Sequence, residues 1–446
     1  MKKIYSGGLA LLFLFISIAQ AQVTPSTALQ SYLHNGDKTF KWEVKDTYDI
    51  GSVKAYALLL TSQQWREHVW THQLTVLVPK ENKYDGALLF ITGGSIKNGL
   101  PNWNGRDDKF NIGMADMASK NHAIVAVLRQ TPNQPLYNDL TEDELISFTL
   151  HNFKKDGDYT WPLLFPMVKS AVRAMDAVQE FSKQQLNHPV NRFVISGASK
   201  RGWTTWLTGA NDKRAQAIAP MVIDVLNMPV SLDYQIKALG DYSVQIEDYV
   251  KLGIPQGAKT ESGMAVTTMV DPYSYRKTLT MPKLIFMGTN DEYWVVDNIK
   301  NYLDSIPGKN LLHYVPNAGH DLGGGKEAFE TLSSFFGATL TNTGYPECSW
   351  TTTVSKKGVR VNIKATKDEL MDVIVWHADS PDTDFRNDKW TSNDLNISQK
   401  KKLKITEALP TSGYRAFYVN LKYKDVNGGT YTVSTRVFMT DTKTVL

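Results

Sequence analysis

Arg192-Phe193-Val194-Ile195-Ser196-Gly197-Ala198-Ser199-Lys200-Arg201-Gly202-Trp203 passes from an apolar strand into a helix with no loop between them. A serine in so tight a turn is held at the top of a sheet with its hydroxyl exposed and backbone N–H groups beside it. Small residues at Gly197 and Ala198 let the turn close, and the helix N-terminus adds positive potential where an oxyanion would form. The pattern is that of a nucleophile elbow. It departs from the usual Gly-x-Ser-x-Gly in carrying Arg201 two residues after the serine and its glycine, Gly202, three after.

Around this turn, short continuous apolar runs recur at Ala87–Thr92, Ala123–Arg129, Ile218–Ile223, Lys283–Gly288 and Leu311–Val315. Stretches of helical period lie at Asn111–Lys120, Leu163–Gln184, Lys200–Ala210 and Gly325–Phe336. Alternation of this kind predicts an α/β fold: a mostly parallel sheet covered by helices on both faces. Two further chemistry-bearing residues follow strands on the same edge. Asp291 comes just after Lys283–Gly288, and His320 ends the loop after Leu311–Val315. A serine needs a base to take its proton, and that base needs an acid to hold its tautomer. The chain order Ser199, Asp291, His320 is that of α/β-hydrolases. Asp224, after Ile218–Ile223, stands as the alternative acid. The oxyanion donors are expected at the Lys200 N–H and in the Gly93-Gly94 loop, at Gly94. Gln130 and Asn133, which leave a strand at its carboxyl end, and the loop tryptophans Trp161 and Trp294 are candidates for substrate contacts.

The chain has 446 residues, 42% of them hydrophobic and 21% charged, which excludes an intrinsically disordered protein. A formal net charge of +4 gives no electrostatic case for nucleic acid. Lys2 and Lys3, an apolar run from Leu9 to Ala19 and the Ala19-Gln20-Ala21 end have the anatomy of a secretory signal peptide cleaved after Ala21. The run is short of the ~20 residues a spanning helix needs. The expectation is a secreted or periplasmic protein without stable membrane insertion. Its single cysteine, Cys348, allows no intramolecular disulfide. No zinc-ligand spacing occurs, so no metal is expected, and a triad mechanism needs no cofactor. Residues 226–281 interrupt the alternation and read as a lid-like insertion. From Tyr345 onward the period becomes that of short alternating strands, predicting an immunoglobulin-like β-sandwich over 345–446 behind a hydrolase domain over 22–341.

The Phe193–Thr204 stretch, with Arg129-Gln130-Thr131-Pro132-Asn133-Gln134-Pro135-Leu136 and Asp224-Val225-Leu226-Asn227-Met228, resembles the PhoPQ-activated pathogenicity-related protein family. That resemblance runs from about Tyr48 to His320 and implies an α/β-hydrolase fold with a serine nucleophile. The elbow alone also resembles the Gly-x-Ser-Arg-x-Gly of glucuronoyl esterases, which implies that Lys200, in the basic position, assists the oxyanion. The sequence expectation is therefore an exported serine hydrolase acting on a small-molecule, peptide or sugar-ester substrate. The competing one is a secreted binding or signalling protein that keeps the scaffold without the chemistry.

Overall fold

The computed structural model describes residues 22–355, 358–425 and 427–446, so the signal segment expected over 1–21 lies outside the described residues. After a short helix α1 (Ala28–Leu33), the extended stretch after residue 40 forms three antiparallel strands, β1 (Lys41–Ile50), β2 (Val53–Trp65) and β3 (His68–Pro79). The strands β4 (Gly86–Ile91), β7 (Val125–Leu128), β8 (Arg192–Ala198), β9 (Ala215–Met221), β10 (Lys283–Gly288) and β11 (Asn310–Val315) are parallel. Between β4 and β7 sits a two-residue pair, β5 (Ile96–Lys97) and β6 (Leu100–Pro101).

In space the order is β1-β2-β3-β7-β4-β8-β9-β10-β11, an α/β-hydrolase sheet with one added edge strand. The central strands read as unbroken apolar runs because both faces are covered, and β4, β7 and β10 are buried at every residue. Apolar clusters occupy both faces. One gathers α4 (Leu164–Gln185), with Phe165, Met175 and Phe181, and α5 (Lys200–Asn211), with Trp206. The other gathers α2 (Lys109–Asn121) and α9 (Lys326–Thr341), with Met114, Phe335 and Phe336.

The segment between β9 and β10 folds into α6 (Met228–Leu239), α7 (Glu247–Lys251) and α8 (Glu261–Val270) with short 3₁₀ turns. A further helix, α3 (Glu142–Asp156), precedes α4 and was not foreseen from the sequence.

The C-terminal residues are antiparallel strands: β12 (Cys348–Ser355), β13 (Gly358–Ala365), β14 (Leu370–Ser380), β15 (Thr391–Asp394), β16 (Lys402–Glu407), β17 (Tyr414–Lys424), β18 (Thr430–Ser434) and β19 (Phe438–Thr440). β12, β13 and β16 form a three-stranded sheet. The others extend the main sheet, because β18 pairs antiparallel with β11 at Leu312 and Ser434. Side chains of both C-terminal sheets, among them Val361, Leu403, Val375 and Val419, belong to the same apolar cluster as the α2–α9 face.

Candidate active site

Ser199 follows β8 directly and occupies the N-cap position of α5 at φ 58° and ψ −125°. For a residue with a Cβ that conformation is strained, and the turn is held because its neighbours leave no other path. A Cβ on Gly197 would stand 2.8 Å from the Arg201 and Ile91 carbonyls, and one on Gly202 would stand 2.6 Å from the Met221 carbonyl. The glycine displaced to the third position thus performs the close approach of helix to strand that the elbow requires. The Ser199 N–H donates to Met221 O at 2.9 Å, which pins the turn to β9.

The three residues that follow separate strands meet. Asp291 accepts the Nδ1–H of His320 on both carboxylate oxygens at 3.0 Å, leaving Nε2 to accept the Ser199 hydroxyl at 2.9 Å. Asp291 is buried and also accepts from the Tyr293 N–H at 2.9 Å. Burial pushes its carboxyl pKa up, and the His320 hydrogen bond and charge pull it partly back. The Tyr293 ring stacks on the His320 imidazole, centroids 4.1 Å apart, and Glu292 accepts the His320 backbone N–H at 3.0 Å. The ring is fixed from its face as well as its edge.

Asp224, the alternative acid, is committed elsewhere. It accepts from the Tyr302 hydroxyl at 2.7 Å and sits beneath Asn298, and burial raises its pKa to about 7. Gln130 and Asn133, expected at the substrate, instead turn inward. Gln130 accepts from the Gln73 N–H at 2.9 Å and donates to Asn102 O, while Asn133 donates to Thr71 O at 2.6 Å. Both satisfy backbone groups that the strand ends would otherwise leave buried and unpaired. Trp161 lies under the Arg66 guanidinium, 3.4 Å from ring centroid to carbon, and donates to Asp156, so it too is structural. Trp294 does line the cavity at Ser199.

Lys200, at the first position of α5, presents a backbone N–H with no intrahelical acceptor. Its side chain pairs with Asp143 at 2.7 Å. Gly94 adopts φ +137° against the Gln130 amide, and the adjoining Gly93 packs on the Arg201 guanidinium. Arg201 in turn binds both oxygens of Glu142, at the start of α3, at 2.8 and 2.7 Å. Sequence reasoning missed this pair and Tyr293, since no local pattern links residues fifty-nine apart.

Among the described residues no group of three or more metal-ligating side chains occurs, and no helix is long and apolar enough to cross a membrane.

The family model described as PhoPQ-activated pathogenicity-related protein matches residues 29–386. The chain belongs to that family. Autocrine proliferation repressor protein A of Dictyostelium discoideum is 31% identical to this family member over 435 residues, covering 89% of this chain and 86% of its own. Among solved structures, acetyl xylan esterase 1 from a Thermoanaerobacterium species superposes with a TM-score of 0.49 at 16% identity, over 72% of this chain and 94% of the esterase. A glucuronoyl esterase from Solibacter usitatus gives 0.41 at 12% identity, over 71% and 92%.

Proposed function

We propose that this PhoPQ-related protein is an exported serine hydrolase cleaving an ester or amide bond. The observation that carries the reading is the unbroken hydrogen-bond relay from Asp291 through His320 to Ser199. His320 Nε2 takes the hydroxyl proton as Ser199 Oγ attacks the carbonyl carbon. The resulting oxyanion is received by the N–H groups of Lys200 and Gly94. His320 then returns the proton to the leaving group, and water discharges the acyl-enzyme by the same route. Asp291 holds the tautomer and stabilises the imidazolium without itself taking the proton. Residues 226–281 act as a lid over this centre, and the leader over 1–21 directs export.

A fluorophosphonate probe tests the reading. Labelling of the parent and none of Ser199→Ala is the expected result. Absence of labelling in the folded parent would sink it. The second reading, a secreted signalling protein on the same scaffold, draws on the name of the Dictyostelium relative, an autocrine repressor. It predicts that Ser199→Ala keeps full biological effect on responding cells.

A further inference from the structure

We propose that the substrate of Ser199 carries an apolar arm of several carbons, aliphatic or aromatic, that fills the cavity between the serine turn and the helices of residues 228–270. The inference rests on the hydrolase reading and narrows it from any ester or amide to one with such an arm.

A cavity with a mostly apolar wall opens beside Ser199, the lining expected of a small-molecule site. Ser199, Lys200 and Trp203 form its floor, and Met228, Leu232 and Val266 belong to its roof. Trp203 is held with its ring in the wall by donating to Val270 O at 2.6 Å. The charged side chains that reach the wall are already engaged. Lys200 pairs with Asp143, Asp143 accepts the Tyr249 hydroxyl at 2.9 Å, and Lys154 donates to Gly253 O at 3.0 Å.

Polar and apolar arms therefore fare differently. A sugar ring or a charged side chain entering here gives up water and finds these charges occupied, at a cost of several kcal/mol per stranded group. A carbon chain gives up nothing and removes the apolar wall from water. That burial is worth about a three- to fourfold gain per methylene. Selectivity thus arises from what the walls withhold as much as from what they offer.

The test uses the full chain after its leader, with two substrate series. One is p-nitrophenyl esters from acetyl to octanoyl, the other acetate esters of alcohols of rising length. In one of the two, kcat/KM is expected to climb at least about tenfold between two and six carbons. Val266→Phe and Leu232→Phe each place a ring in the cavity, and the long-to-short ratio should fall about tenfold in both. Leu232 is only partly buried, so it carries the comparison if Val266→Phe does not fold. Flat series, or an unchanged ratio in a folded variant, overturns the apolar arm while leaving the hydrolase standing. Loss of both ester hydrolysis and fluorophosphonate labelling would overturn the two together.

Discussion

The Arg201 guanidinium spans both carboxylate oxygens of Glu142, at 2.8 and 2.7 Å, and its Nε donates to Thr131 O. One side chain thereby joins the helix behind the serine, the loop after β7 and the first turn of α3. Burial alone would raise the Glu142 pKa, yet the Arg201 hydrogen bonds and charge hold it down at about 2. A carboxylate with a lowered native pKa stabilises the fold fully above its unfolded value of about 4.3 and progressively less below it. Urea unfolding should therefore show stability falling between about pH 4.5 and 2, with a shallower fall in Glu142→Gln. Arg201→Ala should cost about 1–2 kcal/mol at pH 7, since the half-buried Glu142 carboxylate keeps Gln134 and Lys200 but Thr131 O loses its donor.

Asp291 and Asp224 are both buried acids near the sheet's carboxyl edge, and only Asp291 touches His320. Asp291→Asn should slow probe labelling of Ser199 by about four orders of magnitude through the wrong imidazole tautomer. Asp224→Asn should leave the labelling rate within about threefold, because an amide oxygen still accepts from Tyr302. Its signature is thermodynamic instead. An acid whose native pKa is raised to about 7 favours the fold below its unfolded pKa, and that contribution drains away as pH rises to 7. Asp224→Asn removes the drain.

Gly202→Ala tests the displaced glycine. The added methyl meets the Met221 carbonyl at 2.6 Å and Ile223 Cγ2 at 3.0 Å, so α5 must move off the sheet. We expect a stability loss of about 1–3 kcal/mol and a disproportionate loss of labelling, read by melting temperature and probe kinetics side by side.

Asn290 donates to three carbonyls in the loop between β14 and β15: Phe385, Arg386 and Asp388, the last at 2.8 Å. Asn317 exchanges two hydrogen bonds with the Trp390 backbone at 2.8 and 3.0 Å. The loops bearing Asp291 and His320 are each clamped by the loop between β14 and β15. Asn290→Ala should lower the labelling rate about tenfold or more with kcat falling more than KM rises, since small misplacements of a base are costly.

The strand-to-helix turn, the six parallel strands and the edge carrying Ser199, Asp291 and His320 were legible because each signal is local. An apolar run, a break and a polar residue are read within ten positions. Gln130 and Asn133 share that local signature yet face inward. Which way a post-strand amide turns depends on backbone groups at Gln73 and Thr71, far off in sequence. The Arg201–Glu142 pair and the Tyr293 stack were hidden for the same reason. So was the junction of β11 with β18, because strand register between remote segments leaves no trace in either one alone.

That junction places part of the frame of the site late in the chain. All residues of the relay are synthesised by position 320, yet the neighbour of β11 and the clamps on the acid and histidine loops are contributed by residues 385–434. A growing chain thus carries its nucleophile, acid and base for more than sixty residues before the framework that aligns them exists. Until then β11 is an open sheet edge, the stage at which pairing with another chain is easiest. The frame of the site therefore lies downstream of its chemistry in the chain, supplied by the strands that carry the sheet on past β11.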